Sequence, residues 1–424
     1  MRHSLIVALV VASAPAAHAA PRLVGYAELP ALTFIPGPTS GQFQSPANGV
    51  TPPYINQQPV QGVSAILRNK RGGFLVMSDN GFGGKGNSAD ALLLVHDVSV
   101  DFRTRSGGTG TVTVDRSRAL SDPDRLLSFP IQADFEFYQN GARNIPTDAS
   151  IRDQKLLTGW DLDPESFRRL PDGSFVFGDE FGPFLVRTNR DFEVIQQQVA
   201  TPGVQAPQNP FLVPPANLPG SGGYEGMALS PDGQTLYALL ERPVTGETTL
   251  RIYEVDADPL AFTGTRWAYP LSPGATAIGD MTAIADRKFI VIERDGGNGP
   301  TAAFKRVFLI DLDQADASGN LIKTELVDLL NVPDPHDLNQ DGSLTYRMPF
   351  VTIEDIIPID PFTILIGNDN NFPGGGGRIA GVPDDSEFAL IRFDDPLFAA
   401  VAAPSPTALA LFGLGMLSLA LRRR

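Results

Sequence analysis

The chain has 424 residues, no cysteine and a formal net charge of −15. Without disulfides, its stability rests on a core, on bound metal ions or on both. An acidic chain of this kind repels nucleic acid and anionic lipid and attracts divalent cations. Only His96 and His336 lie outside the first twenty residues, which disfavours zinc sites and phosphatases with a histidine nucleophile.

Residues 1–20 have the pattern of a secretory signal peptide. Arg2 provides a basic start, residues 5–12 are apolar, and small residues surround His18 before a break. This order of regions predicts cleavage near residue 20 and export to the periplasm, the cell surface or the medium. The alternative is a buried helix, but no amphipathic segment follows it.

The middle of the chain repeats a unit of two strands joined by a tight turn. Five copies begin near residues 62, 163, 224, 279 and 353. In each copy a strand opens at a polar position, usually acidic, and the next, strongly apolar strand ends beside an acidic residue. All-strand repeats about 50 to 75 residues apart predict an all-β fold, a β-propeller, as a single domain over residues 21–400.

The interval between residues 79 and 165 is wider than the others and has room for one degenerate unit, so we expect six blades. A β-sandwich is the alternative, but it would not repeat acidic residues in register. Residues 39–61 and 201–223 are rich in Pro, Gly and Gln, which predicts long loops over one face.

The acidic residues of the repeats are candidate metal ligands, because the inner strands of a propeller line one central channel. Converging carboxylates repel unless cations lie among them, and oxygen ligands without Cys or His favour Ca²⁺. The alternative for each acid alone is a solvated turn residue. Four acids are expected to begin the innermost strands: Glu165, Glu225, Asp280 and Glu354. Six are expected to end the next strands near the same rim: Asp79, Asp179, Glu180, Glu241, Glu293 and Asp369.

Two loops carry further candidate sites. Residues 337–343 match the first half of an EF-hand calcium loop, but Met348 stands where the bidentate glutamate belongs, so a plain Asx-rich turn is equally consistent. Residues 80–86, rich in glycine, follow Asp79 directly. Their backbone amides would suit an anion-binding nest, and a rim loop without a ligand is the alternative.

Five motifs, taken in order, carry a family resemblance. They are Asp163-Pro-Glu165, Phe177-Gly-Asp179-Glu180-Phe-Gly-Pro183, Tyr224-Glu225-Gly-Met-Ala-Leu-Ser-Pro-Asp-Gly233, Ile292-Glu293-Arg294-Asp295 and Asn368-Asp369-Asn-Asn-Phe-Pro373. Together they resemble the phytase-like family, also described as "esterase-like activity of phytase". The resemblance implies a propeller related to calcium-dependent phytases and hydrolysis of a phosphate or other ester. Ser166 departs from the glycine expected after the motif glutamate.

The sequence therefore predicts metal-assisted hydrolysis of a small anionic ester. Glu165 and Glu225 are the candidate catalytic carboxylates. Arg242 and Arg294 would hold oxyanions, or would instead pair with the neighbouring glutamates and brace the rim. The alternative function is a non-catalytic propeller at the cell surface or in a matrix, with calcium as a structural clamp.

The end of the chain resembles the PEP-CTERM sorting tail of Gram-negative bacteria, over residues 404–424. Pro404-Ser405-Pro406 precedes an apolar stretch at 408–421 and three terminal arginines, although the usual tripeptide is Pro-Glu-Pro. The expected partners are a signal peptidase and an exosortase-type enzyme, and membrane contact is expected only through this tail. An ordinary tail anchor is the alternative. Without Arg2 and the terminal arginines, 29 basic residues face 48 acidic ones, a formal charge of −19.

Overall fold

A computed structural model describes residues 21–70, 72–142 and 144–398 of the protein. The predicted signal peptide and the predicted sorting tail lie outside the described residues. Regular structure consists of strands, apart from the helix α1 (Ala149–Gln154) and two 3-10 turns (Gln132–Asp134 and Gly299–Thr301). No helix in the described part of the chain is long and apolar enough to cross a membrane.

The described residues form 24 strands. Those of the first half are β1 (Arg22–Leu29), β2 (Phe34–Pro36), β3 (Gln57–Pro59), β4 (Val63–Arg68), β5 (Phe74–Ser78), β6 (Leu94–Asp101), β7 (Thr111–Ala119), β8 (Pro164–Arg169), β9 (Phe175–Asp179), β10 (Phe184–Thr188), β11 (Val199–Ala200) and β12 (Gly226–Leu229). Those of the second half are β13 (Thr235–Leu239), β14 (Leu250–Ala257), β15 (Leu260–Tyr269), β16 (Ala277–Ala285), β17 (Lys288–Arg294), β18 (Lys305–Ala315), β19 (Leu321–Asp328), β20 (Val332–Pro333), β21 (Thr345–Tyr346), β22 (Asp355–Asp360), β23 (Thr363–Gly367) and β24 (Ser386–Arg392).

Twenty of these strands form five blades of four antiparallel strands each. The first blade is β4–β7, the second β8–β11, the third β12–β15 and the fourth β16–β19, while the fifth combines β22–β24 with β1. The innermost strands β4, β8, β12, β16 and β22 contact one another in a closed ring. The all-β propeller predicted from the repeats is therefore present, with the inner strands around one central channel.

The number of blades differs from the sequence-based expectation of six, since the described residues form five. The interval between residues 79 and 165 does not hold a further blade. It supplies β6 and β7, which complete the first blade, and then one 3-10 turn and α1. Each repeat seen in the sequence is the inner hairpin of one blade, so the five copies account for the whole ring.

The ring is closed by the N-terminal strand. β1 lies beside β24 as the outermost strand of the fifth blade, in a register that runs from Arg22 opposite Arg392 to Leu29 opposite Ser386. A bridge between Glu28 and Thr111 then connects this edge to β7 of the first blade. Residues near both ends of the described chain thus share one sheet, which resists opening of the ring.

Each blade buries both of its faces against its neighbours, which explains the continuous apolar runs in the second strands. Every residue of β5, β9 and β23 is buried. Between the first two blades the core is aromatic: the rings of Phe167 and Phe177 stack with centroids 5.5 Å apart, and Phe192 meets Phe177 edge-on. Burial of such side chains contributes roughly 1.5–3 kcal/mol each.

The two predicted loops both lead to the end of the channel where the inner strands begin, which we call the channel mouth; the first of them also contains the short strand β3. Gln61, at the end of the first loop, donates from its side-chain amide to Oδ1 of Asp79 across 3.2 Å. Gly223, at the end of the second loop, donates from its backbone N–H to Oε1 of Glu180 across 3.0 Å. Both loops are therefore tied to acidic residues of the channel mouth.

Candidate metal centre

Three carboxylates of the second blade form the tightest acidic group in the described chain. Asp163, Glu165 and Glu180 each offer a ligand oxygen, and these atoms all lie within 4.8 Å of one another. A β-bulge between Pro164 and Ser166 turns Glu165 out of the regular strand alternation, which re-aims its side chain. Glu180 donates its backbone N–H to the carbonyl of Asp163 across 2.9 Å, so the hairpin fixes both residues together.

Three further glutamates surround one arginine on the other side of the channel mouth. Nη2 of Arg294, at the end of β17, lies 2.8 Å from Glu241 and 3.3 Å from both Glu225 and Glu354. The four side chains come from the third, fourth and fifth blades, and all are buried. Because charge-assisted hydrogen bonds are directional and strong, Arg294 connects three blades through one nitrogen.

Asp79, Asp179 and Asp369 lie at or just after the ends of the second strands of their blades, where each carboxylate also accepts a backbone hydrogen bond. Oδ1 of Asp79 accepts the backbone N–H of Gly81 across 2.7 Å. Asp179 accepts the backbone N–H of Asp163 at 2.9 Å, and Asp369 accepts that of Asn371 at 2.6 Å. We call the nine acids together the carboxylate cluster: Asp79, Asp163, Glu165, Asp179, Glu180, Glu225, Glu241, Glu354 and Asp369.

Crowding makes the carboxylate cluster hard to ionise completely. Burial raises the pKa of Asp163 to about 7, with Asp79 adding to the effect, and raises the pKa values of Asp79 and Asp179 to about 6. Burial, together with neighbouring carboxylates, also holds the pKa values of five other members well above their usual range: Glu165, Glu180, Glu225, Glu354 and Asp369. The cluster must therefore bind protons or cations at neutral pH.

The basic side chains that act on the cluster are fewer than its acids. Arg294 is buried, and its pKa is raised by Glu241, Glu225 and Glu354 although burial itself opposes the charge. Arg242 pairs with Glu241 at 3.0 Å. Lys85 stands over the rings of Phe181 (4.6 Å) and Trp160 (5.1 Å). Burial lowers its pKa, while Asp179, Asp161 and Asp163 oppose that shift.

Arg242 and Arg294, for which the sequence left open oxyanion binding or pairing with glutamates, both pair with glutamates. Arg294 is enclosed by its three carboxylates and is 6 % exposed. Arg242 donates from Nε to Glu241 and from Nη1 to the carbonyl of Thr276. Of the two roles considered from the sequence, these contacts correspond to bracing the rim.

Asp280 and Glu293, two of the predicted ligands, lie outside the cluster. Asp280 pairs with Arg168 at 3.1 Å and accepts the backbone N–H of Ile356, further along the channel. Glu293 accepts hydrogen bonds from the hydroxyl of Tyr269 and from Lys323, both on outer strands. Successive strand residues point to opposite faces, so at the end of β17 the inward position belongs to Arg294 and Glu293 points away.

Several residues at the channel were not selected from the sequence. Asp163 was quoted only as part of a motif, although its position two residues before Glu165 marks it as a neighbour in space. Lys85 could have been found only as the one cation of the glycine-rich loop. Asp355 is fully buried, and neither of its carboxyl oxygens has a hydrogen-bond partner among the described residues. Nothing in the sequence distinguishes it from the neighbouring Glu354.

Three backbone amides of the glycine-rich loop already have acceptors. The backbone N–H groups of Gly81, Phe82 and Gly83 donate to Asp79, Ser88 and Asn80 respectively. The loop is thus tied down by side chains around it. Ser166, the departure from the family motif, uses its hydroxyl to donate to the carbonyl of Tyr224 across 2.6 Å, which joins the second and third blades.

The partial EF-hand loop forms an Asx-type turn on the surface. Oδ1 of Asp337 accepts the backbone N–H of Gly342 across 3.1 Å, and Asp341 accepts that of Ser343 at 2.8 Å. Met348, at the position of the missing glutamate, is buried in the core. Of the two interpretations left by the sequence, the turn accounts for these contacts.

Solved structures with a similar chain course include several enzymes and one calcium-binding protein. A luciferin-regenerating enzyme is 12 % identical over 81 % of this chain and 83 % of its own, with a TM-score of 0.37. The PQQ-bound aldose sugar dehydrogenase from Streptomyces coelicolor is 12 % identical over 86 % of this chain and 99 % of its own, with a TM-score of 0.33. Regucalcin from Agrobacterium tumefaciens is 13 % identical over 90 % of this chain and 98 % of its own, with a TM-score of 0.36. These likenesses add nothing to what the strand pairing shows.

No curated protein sequence matches the chain. The family model described as "Phytase-like: Esterase-like activity of phytase" matches residues 58–372, which is most of the described chain. This span contains the five inner hairpins up to Phe372 and every member of the carboxylate cluster. The chain therefore belongs to the phytase-like family.

Proposed function

We propose that this protein is an exported, calcium-dependent hydrolase of phosphate or other esters. The observation that carries the proposal is the trio of Asp163, Glu165 and Glu180, whose ligand oxygens lie within 4.8 Å of one another. Among the described residues none of the three forms a salt bridge. Three carboxylates held this close by one hairpin repel each other strongly, and a divalent cation removes that repulsion.

The side chains present fit calcium better than a softer metal. The trio offers carboxylate oxygens alone, which are ligands for hard cations such as Ca²⁺. Oδ1 of Asp163 is buried and has no hydrogen-bond partner among the described residues, so it is available to a cation. Both ring nitrogens of the buried His96 lie within hydrogen-bond distance of hydroxyls, those of Ser78 and Ser117, so the imidazole is already engaged.

In the proposed reaction, the residues of the channel mouth have different roles. Calcium bound there would supply charge that stabilises a developing oxyanion and lowers the pKa of an attacking water. Glu165 and Asp79 are the cluster members that are partly exposed, so they face an arriving substrate. Arg294 holds Glu225, Glu241 and Glu354 in fixed positions, as a positioning residue rather than as a ligand of the ester.

A small cavity next to Asp79 would take the uncharged part of the ester. It measures about 270 Å³ and is lined by polar side chains such as Gln44 and Gln61 and by the rings of Phe82 and Phe372. Its position beside a partly exposed carboxylate places a bound molecule against the cluster. Mixed polar and aromatic walls suit a small organic group with hydroxyls.

The test is the hydrolysis of phosphomonoesters, phosphodiesters and carboxyl esters by the calcium-loaded protein. Glu165→Gln, which keeps the shape of the side chain, should abolish hydrolysis and weaken calcium binding measured by calorimetry. Glu325→Gln is the matched control, since it removes an exposed glutamate on β19 that pairs with Arg306 at the surface. The proposal fails if no ester is cleaved faster than by the Glu165→Gln variant.

A second candidate function is a non-catalytic binding module with calcium as a structural clamp. The observation that favours it is the enclosure of Arg294 by three glutamates, because this arrangement ties blades together without leaving those carboxylates to a substrate. Calcium binding that stabilises the fold, combined with no hydrolysis of any ester class, would select this function.

Export is the part of the proposal that rests on residues 1–20 and 404–424. The expected route is cleavage by a signal peptidase, followed by processing of the tail by an exosortase-type enzyme. The absence of cysteine means that the fold does not depend on disulfides in either a reducing or an oxidising compartment.

A further inference from the structure

A groove lined by basic side chains separates the first and second blades. It measures about 460 Å³, which is within the usual size range of small-molecule sites. Two acids, Asp97 and Asp172, also line it. We call this cavity the basic groove, because five of its lining residues are basic. They are Lys70, Arg116, Arg118, Arg169 and Arg190.

The basic groove lies at the opposite end of the blades from the carboxylate cluster. β8 begins beside Glu165 at the channel mouth and ends at Arg169 in the groove. Four residues of an extended strand span roughly 13 Å. Phe175, which begins β9 and is paired with Arg169, also lines the groove, so the groove is formed by the turn end of the hairpin. The two sites are thus separate.

The protein neutralises the positive charge of the groove only in part. Asp97 pairs with Arg118 at 3.3 Å, and Asp172 pairs with Arg187 at 2.8 Å, so both acids already have partners. Within the described ranges, no hydrogen bond or salt bridge engages the side chains of the other four basic residues: Lys70, Arg116, Arg169 and Arg190. Four unpaired cations in one groove are unexpected in a chain whose net charge is −15.

Two of the arginines are held in place by aromatic rings. The guanidinium of Arg169 stands 5.2 Å from the ring centre of Phe175, and that of Arg118 stands 4.3 Å from Phe192. Stacked guanidinium groups are planar donors with restricted motion, which suits recognition of oxyanions. Nε of Arg118 is buried and has no acceptor among the described residues, so one donor of the groove lacks a partner.

We propose that the basic groove binds a small molecule that carries two or more oxyanion groups, such as phosphate or sulfate groups. Several cations converge on one cavity, and a ligand with several negative charges neutralises more than one of them at once. Planar donors recognise phosphate and sulfate oxygens in pairs. This site is independent of the proposed hydrolysis, because the channel mouth has the opposite charge and uses different residues.

The experiment titrates the full calcium-loaded protein with three probes at physiological salt concentration. myo-Inositol hexasulfate tests a polyvalent sulfate, methylenediphosphonate tests phosphate-like chemistry without hydrolysis, and inorganic sulfate is the single-charge comparator. We expect at least one of the polyvalent probes to bind at least tenfold more tightly than inorganic sulfate. Equal affinity for all three probes, or no binding of any, would overturn the proposal.

The variants locate the binding. Arg116→Gln/Arg190→Gln removes two exposed cations that have no partner in the described part of the chain, so the fold is retained, and we expect at least tenfold weaker binding. Arg266→Gln/Lys288→Gln removes the same charge from exposed positions of the third and fourth blades and should change affinity less than twofold. Equal weakening by both double variants would show non-specific attraction and overturn the proposal. Arg169→Lys, which keeps the charge but loses the planar donor, should weaken binding severalfold.

Discussion

Nη2 of Arg294 donates to Oε1 of Glu241 across 2.8 Å, and this pair joins the fourth blade to the third inside the channel mouth. The same nitrogen lies within 3.3 Å of Glu225 and Glu354, so one cation is shared by three acids. Arg242 adds a second positive charge beside Glu241, at 3.0 Å, and two positive charges cannot neutralise all three glutamates. The remaining charge is what a divalent cation, or bound protons, must supply.

Arg294→Met should destabilise the metal-free protein by about 3–5 kcal/mol, the usual cost of removing one partner from a buried ion pair. The physical reason is that three buried glutamates lose their cation. Urea unfolding with a chelator measures the effect. Arg287→Met, at an exposed pair with Asp313, is the control and should cost less than about 1 kcal/mol. Similar losses for both variants would show that Arg294 does not hold the cluster together.

Calcium should raise the midpoint of thermal unfolding, and more at pH 8 than at pH 5. Burial raises the pKa of Asp163 to about 7 and of Asp79 to about 6. In the unfolded chain these groups titrate near 4, so the metal-free folded state binds protons more tightly and loses stability as the pH rises from about 4 to about 7. Ligands must be deprotonated to bind metal, which makes calcium most effective above that range.

Scanning calorimetry at both pH values, with chelator and with millimolar-range calcium, makes this comparison. The free energy of unfolding should increase by about 2.7 kcal/mol when free calcium reaches 100 times its dissociation constant. Superimposable curves with and without calcium at pH 8 would rule out a cation site in the carboxylate cluster.

His96→Gln should remove an acid-dependent loss of stability. Burial lowers the pKa of His96 to about 4, whereas an unfolded histidine titrates near 6.5. As the pH falls from 6.5 to 4 the unfolded chain takes up the proton first, so His96 lowers the free energy of unfolding by up to about 3 kcal/mol. The quantity to compare is the slope of that free energy against pH in the two proteins, which is insensitive to a constant offset. Identical slopes would contradict the prediction.

Gly279→Ala should destabilise the fold by about 1–3 kcal/mol or more, because the fourth and fifth blades approach closely there. A Cβ at Gly279 would lie 1.8 Å from the carbonyl oxygen of Ile353, a backbone atom that cannot rotate away. Gly296→Ala is the matched control, since a Cβ there meets nothing within 4 Å. Urea unfolding of both variants provides the measurement, and a stable Gly279→Ala variant would contradict the close contact between blades.

Exported protein should lack both terminal segments. Intact-mass measurement on surface-associated material should give a chain that begins near residue 21 and ends near Pro406, since the basic and apolar segments on both sides have the pattern of processing signals. A mass that retains residues 422–424 would favour a tail anchor in place of a processed sorting signal.

The sequence by itself determined the fold class and most of the cluster. The repeat predicts inner hairpins because strand, turn and strand recur with acidic ends, and Glu165, Glu225 and Glu354 all lie at the mouth as a ring of equivalent strands requires. It did not determine the number of blades, since residues between 79 and 165 have enough length either for outer strands with a connection or for one more blade.

Only the tertiary structure decided which side chains face the channel and which residues meet across blades. A strand residue changes faces when the register shifts by one, so neither the inward position of Arg294 nor the outward position of Glu293 is visible in a list of acids. The β-bulge between Pro164 and Ser166 also changes which way a side chain points, that of Glu165, and it is likewise not visible in the sequence. The basic groove brings together residues from two blades that are up to 120 positions apart in the chain. A sequence pattern does not show which residues so far apart meet in space.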